Sequence, residues 1–533
     1  MRKINIRNLL SVIIALTFVL AIFSGCSNSD STNNSDNNTT LADITTAEVT
    51  MVPETTYPEL QTETSSDGTR IYDFFNTDYV FIPDSEAVGE WDIVDCVQNI
   101  DDFDPANQNV PKEQLYCQSV KIFDNGEAGI QFLGGGNPFY TSWTKGYILN
   151  VIAPNTICAY EIENIGGAEY MFVERKGSDY TGNAKPMYYV FKKMSNEVQL
   201  VINSYDDVRN MDLRNYDFSD FGNSMFNLTF NEKTIFPPKD KLPSDDKFQP
   251  DAIMEAGKNP GLGVRALHDQ GITGKGVSVA IIDQAMTINH PEYNGKIIQY
   301  VNLGNTKSTV SFHGPLVTSL LVGGNIGTAP GAKVYYYATE RYIGDKGDAL
   351  AIVEAIDMII ETNKSLPDSE KIRVISISAA PTLLGDGTRV PYTNGDQYLE
   401  GVKRAKEAGI LVLDASVENG IIGACRYDFE NPEDVTLCKG TNYWGKKEIL
   451  APMCYRTVAE ESIEGEYSYV HLGDGGLSSA IPYAAGVLAM GWQVNPKLTP
   501  DEIVKILLDT AYVDSDGNRY INPPAFIDYI KNN

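Results

Sequence analysis

From about Asn259 onward the chain carries short runs that are apolar at nearly every position: VSVAIID, KVYYYATE, IRVISISAA and ILVLDAS. Between them lie stretches with a helical period. In GDALAIVEAIDMIIETN, Ile352, Val353, Ile356, Ile359 and Ile360 share one face, and GDQYLEGVKRAKEAG runs to a glycine stop. A strand apolar on both sides has to be covered on both sides, which happens when helices cross over between parallel strands. The C-terminal part is therefore expected to be an α/β domain with a mainly parallel sheet, spanning 259–533. In such sheets reactive groups gather at the carboxyl ends of the strands.

Three residues fall at ends of that kind. Asp283 closes VSVAIID, His313 opens the helical stretch HGPLVTSLLVG, and Ser478 stands at the start of GLSSAIPYAAGVLAMGW. Each has an ordinary reading alone: a turn aspartate, a structural histidine, a serine capping a helix. Together they supply a hydroxyl, an imidazole to take its proton, and an anion to hold the imidazolium.

Their order, Asp then His then Ser, is that of subtilisin, and the surrounding motifs extend the likeness. GKGVSVAIID resembles the subtilase strand that delivers the aspartate. HGPLVTSLLVG resembles HGTHVAG at His313, Gly314 and Val317, and GLSSAIPYAAG resembles GTSMASPHVAG at Gly476, Ser478, Ala480, Pro482, Ala485 and Gly486. GTAPGAKVYYY and VISISAAPT fall in the family's order between them. Over about 270 residues the chain is thus similar to the subtilisin-like serine peptidases. That resemblance implies Ser478 as nucleophile, His313 as general base then acid, and Asp283 as the group orienting His313. Ser479 takes the family's methionine position. It also implies a peptide or protein substrate and no required cofactor. Calcium is common in the family, but no motif here names ligands, so no metal residues are assigned.

The sequence departs from the pattern in several places. The aspartate motif reads DQA, and Pro315-Leu316 replace Thr-His. Where the family carries its oxyanion asparagine, ungapped alignment of LVLDASVENG puts Glu418, with Asn419 one residue later; a one-residue insertion restores Asn419, which is taken as the donor. Asp414 on the same stretch is a candidate for favouring a basic substrate side chain, its strand register being left open.

The N-terminal half reads differently. Residues 70–200 hold strands and turns, among them a hairpin around Gly166-Gly167 and another at Asn125-Gly126. Six to eight such strands suit an antiparallel barrel or sandwich, and the arrangement resembles lipocalin-like domains of bacterial surface proteins. Such a barrel either holds a ligand or packs a core, and the packed core is the favoured expectation. Residues 201–258 form a connector and a proline-rich linker. Asp207, Asp212 and Asp217, followed by Val208, Leu213 and Phe218, give a five-residue period with too few units for a stack of its own.

Residues 1–25 read as a leader: a basic start, then LLSVIIALTFVLAIF, shorter than the roughly 20 residues of a spanning helix. FSGC resembles the bacterial lipobox, implying a lipid anchor at Cys26 and the extracellular face of a bacterial cell membrane. Residues 26–68, rich in Ser, Thr and Asn, suit a flexible tether. A net charge of −29 repels phosphate backbones, so nucleic acid is not expected as a partner. Of the other six cysteines none forms a CxxC pair; Cys425 and Cys438 could close a short loop. Two functions remain in view: a membrane-anchored extracellular endopeptidase, or a catalytically impaired lipoprotein that binds ligands or proteins.

Overall fold

The computed structural model describes residues 71–533 except 75–76, 108–109, 111, 113–114, 116, 133–137, 150–156, 176–186, 245–246, 304–311, 340–341, 344–345, 383–391, 417–418, 441–446 and 464. The leader, the tether, Cys26 and Glu418 lie outside the described residues. No helix of the described residues is long and apolar enough to cross a membrane.

Eight antiparallel strands close a barrel: β1 (Gly89–Val97), β2 (Cys117–Ile122), β3 (Glu127–Phe132), β4 (Phe139–Thr144), β5 (Tyr147–Leu149), β6 (Ile157–Ile165), β7 (Ala168–Glu174) and β8 (Tyr188–Ser195). Each pairs with the next in sequence, and β8 returns to β1. Closure removes the free edges that an open sheet would expose. The β6–β7 turn is tight because Gly166 and Gly167 both sit at positive φ, 64° and 86°, as a two-residue hairpin of this hand requires. Side chains fill the interior. Trp91 and Trp143 are fully buried there with Ile93, Val120, Ile130 and Met171, and their indole N–H groups donate to the carbonyls of Ala87 and Phe123.

Beyond the connector lies a five-stranded parallel sheet in the order β10-β11-β9-β12-β13. Its strands are β9 (Ser278–Asp283), β10 (Ile297–Asn302), β11 (Lys333–Ala338), β12 (Ile372–Ser376) and β13 (Leu411–Leu413). Every residue of β9 is buried, as its unbroken apolar run demands. Helices α1 (His313–Val322), α2 (Leu350–Ser365), α3 (Gly395–Glu407) and α4 (Gly476–Val494) accompany it. On α2, Ile352, Ile356 and Ile359 are buried, while Val353 and Ile360 sit at the margin of that face. The order of strands reverses at β9: β10 and β11 add on one side, β12 and β13 on the other. A crevice at the carboxyl ends of β9 and β12 follows from that reversal.

The connector is folded into the structure. Val208, Leu213 and Phe218 are buried, and their N–H groups donate to the carbonyls of Thr229, Ile235 and Lys241. Asp207, Asp212 and Asp217 each accept from the backbone N–H two residues on, turning the chain once per period. Strand Phe230–Asn231 then pairs with β15 (Glu466–Leu472), which itself pairs with β14 (Arg456–Ile463). Phe226, Phe230 and Phe248 form an aromatic cluster against Phe236, Phe429 and His471. Barrel residues Phe123 and Tyr140 join the same core.

All six cysteines from Cys96 onward are buried and unbridged. The Cys425–Cys438 bridge allowed by the sequence is thus not formed, although the two thiols adjoin and burial pushes that of Cys425 up. Phe230 has no exposed surface and touches three aromatic rings. Phe230→Ala is expected to cost about 3–5 kcal/mol in chemical denaturation, the usual range for a buried phenylalanine.

Candidate active site

Asp283 is the last residue of β9, and its Oδ1 lies 2.6 Å from Nδ1 of His313, the first residue of α1. The same oxygen accepts from the Gln284 N–H at 2.8 Å. Neither side chain has more than 1% exposure. What lets α1 come so close is Gly314. A Cβ there would stand 2.8 Å from the Tyr336 hydroxyl and 3.0 Å from both the Gln284 carbonyl and Met286 Cβ. The residue after the histidine must therefore be glycine for α1 to seat on the end of β9.

Ser478 is the third residue of α4. Two glycines shape its approach. Gly476 takes φ 56°, a conformation that favours glycine, and a Cβ on Gly475 would fall 2.0 Å from Ser479 Oγ. The N–H of Ser478 lies in the first helical turn, where no intrahelical acceptor exists and the helix dipole favours negative charge.

Four residues on comes Pro482, inside the helix. It has no N–H to give to the Ser478 carbonyl. Ser378, just past β12, donates its hydroxyl to that carbonyl instead, at 3.1 Å. The sheet thereby holds the serine's backbone directly.

The loop before α4 is tied down as well. Asp474 accepts from the Gly476 N–H at 3.0 Å and pairs with Arg426 at 2.8 Å, and Arg426 stacks over the connector's Tyr205 at 4.4 Å. Burial raises the Asp474 carboxyl, and the guanidinium opposes that shift.

On the two expected reactive residues of these helices, one polar atom each remains unanswered. His313 Nε2 and Ser478 Oγ are both buried without a hydrogen-bond partner among the described residues. Helices α1 and α4, which carry them, pack on each other. An imidazole held at one nitrogen and open at the other can take a proton from a hydroxyl brought to it.

The other two expected residues have different surroundings. Asp414 is fully buried and accepts from Tyr398 Oη, Ser416 N at 2.9 Å, Ser416 Oγ at 2.6 Å and Asn419 Nδ2 at 3.1 Å. With its lone pairs so occupied and no exposed surface, it cannot select a basic substrate side chain. The Asn419 amide donates to Asp414 and, at 3.4 Å, to the Val412 carbonyl. Both of its N–H groups are engaged inside the protein.

Ser378 and the Arg426–Asp474 pair were not found by reading the sequence. Pro482 was the available signal for Ser378, since a helical proline four residues after a serine frees that serine's carbonyl. The ion pair joins residues 48 apart in sequence and has no local signature.

Residues 274–450 match the model of the subtilase family. A peptidase S8 subtilase domain occupies the C-terminal half. The chain is 28% identical over 300 residues to serine protease AprX of Bacillus subtilis (strain 168), an alignment covering 48% of this chain. It spans 65% of that relative's length, just under two thirds. Among solved structures, the prenylagaramide maturation protease PagA is 20% identical, with 50% of this chain and 98% of that one covered, at a TM-score of 0.39. The nisin leader peptidase NisP from Lactococcus lactis is 17% identical, with 50% and 93% covered, at 0.38.

On β15, His471 is fully buried, its Nε2 3.2 Å from the Phe226 carbonyl, and burial lowers its pKa from 6.5 to about 4. The unfolded chain therefore binds a proton between pH 4 and 6.5 that the folded chain refuses, so stability falls as pH drops through that window. His471→Gln is expected to flatten the fall in thermal midpoint across this window relative to wild type. Ser378→Ala should cost about 1 kcal/mol in denaturant melts by leaving the Ser478 carbonyl unpaired.

Proposed function

We propose that the C-terminal domain is a serine endopeptidase that cleaves peptide bonds through an acyl-enzyme. The observation carrying this reading is the Asp283–His313 pair, with His313 Nε2 and Ser478 Oγ both buried and uncommitted on two helices that pack together. Ser478 Oγ attacks the scissile carbonyl while its proton passes to His313 Nε2. The imidazolium, stabilised by Asp283, then gives that proton to the departing amine. Water follows the same path in reverse and releases the acyl group. The first-turn N–H groups of α4 suit the developing oxyanion. Hydrogen bonds among such groups commonly tighten only when substrate is bound, which fits the absence of a His313–Ser478 bond here.

The wider setting belongs to the same proposal. The leader and Cys26 support a lipid-anchored protein on the outer face of a bacterial cell membrane, acting on peptides or proteins in reach of its tether. The barrel is read as a lipocalin-like domain with a filled interior.

A second reading, a catalytically impaired binding module, draws on Asn419. With both amide N–H groups engaged, the expected oxyanion donor is unavailable in this arrangement. Loss of one such donor costs about 3–4 kcal/mol of transition-state stabilisation, slowing the reaction without abolishing it.

A fluorophosphonate probe separates the two. Wild type should label on Ser478 with loss of fluoride, and Ser478→Ala should not. Folded wild type that stays unlabelled would overturn the peptidase reading. Asp283→Asn should lower kcat by roughly 10⁴-fold while the fold is kept, measured on a peptide substrate.

A further inference from the structure

The five-residue period of the connector places two arginines at equivalent positions, Arg209 and Arg214, each two residues after an aspartate. Both grip their own aspartate. Arg209 Nε lies 2.9 Å and 3.0 Å from the two Asp207 oxygens; Arg214 Nε lies 3.0 Å and 3.1 Å from those of Asp212. There the equivalence ends. The Arg214 side chain is 54% exposed, whereas that of Arg209 is 12% exposed and faces the subtilase domain.

Arg209 makes two contacts there. Its Nη1 pairs with Glu460 Oε1 at 2.9 Å, and its guanidinium carbon stands 4.3 Å from the centre of the Phe312 ring. Glu460 is held from its other oxygen by Asn231 Nδ2 at 3.2 Å and Ser468 Oγ at 3.3 Å. The guanidinium is thus locked between two carboxylates, and burial's tendency to discharge it is overcome by both. A planar cation fixed in this way presents its face to an aromatic ring and holds that ring's orientation.

Phe312 is the residue directly before His313, and its carbonyl accepts from Leu316 N in the first turn of α1. Its placement governs how the chain enters α1, and hence where the imidazole stands relative to Asp283. We propose that Arg209 is a positioning residue for His313, acting through the face of Phe312. This rests on the peptidase reading above, and it makes the connector a working part of the reaction. Arg214, alike in its repeat but out of reach of the site, serves as the internal control.

The test uses the full chain with a peptide substrate. Arg209→Ala and Phe312→Leu should each lower kcat roughly 10- to 100-fold, the scale of a misplaced catalytic group, with KM changed by less than about twofold. Phe312→Leu keeps the apolar bulk and both ion pairs but removes the aromatic face. It therefore decides the matter if Arg209→Ala does not fold. Arg209→Lys should recover part of the loss, and Arg214→Ala should match wild type.

A second readout does not need turnover. The chain has only four histidines, so ¹⁵N-histidine labelling resolves the His313 Nδ1–H, which should shift in Arg209→Ala and Phe312→Leu. If both variants fold and keep wild-type kcat and the wild-type resonance, the proposal is overturned. If wild type neither labels nor turns over but the resonance shifts in the variants, the peptidase reading falls and the positioning role stands.

Discussion

A carboxylate can stay in a protein interior only if something answers its charge, because stripping it of water costs several kcal/mol. Asp283 has no exposed surface, and what answers it includes an imidazole nitrogen at 2.6 Å and the Gln284 backbone N–H. Much of the C-terminal architecture serves that meeting. The parallel sheet delivers Asp283 at the point where strand order reverses, and Gly314 lets α1 approach closely enough to place His313. Helix α4, which carries the buried Ser478, packs on α1.

The serine is held by a different logic. Its backbone is fixed on three sides: by a proline that withdraws a helical hydrogen bond, by a hydroxyl from beyond β12 that takes the vacant place, and by a buried ion pair under the preceding loop. No one of these contributes much energy. Together they leave the Ser478 backbone little freedom, while its hydroxyl stays uncommitted among the described residues.

The parallel sheet, the antiparallel strands of the N-terminal half and the subtilase motifs were legible because period and motif are local properties of a sequence; whether those strands close into a barrel or form a sandwich was left open. VSVAIID announces a doubly covered strand, and Gly166-Gly167 a tight turn. The pairing of Asp283 with His313 was legible through their order and motifs. Contacts between distant segments were not legible. Tyr205 meets Arg426 and Arg209 meets Glu460 across more than two hundred positions, and nothing near either residue marks its partner. Asp414 shows a subtler failure. Its position just past an apolar strand was readable, but its saturation by Tyr398, Ser416 and Asn419 depends on packing that no linear pattern records.

The shared aromatic cluster also bears on how the chain is made. Phe226 leaves the ribosome 245 residues ahead of His471, whose ring closes over Phe230 and whose nitrogen meets the Phe226 carbonyl. At ordinary synthesis rates that interval lasts roughly 12 to 50 seconds, during which several phenylalanines wait without their cover. A fold whose first and last segments complete one another has high contact order and closes late. In this chain the connector's aromatic core stays incomplete until the β14–β15 hairpin has been made.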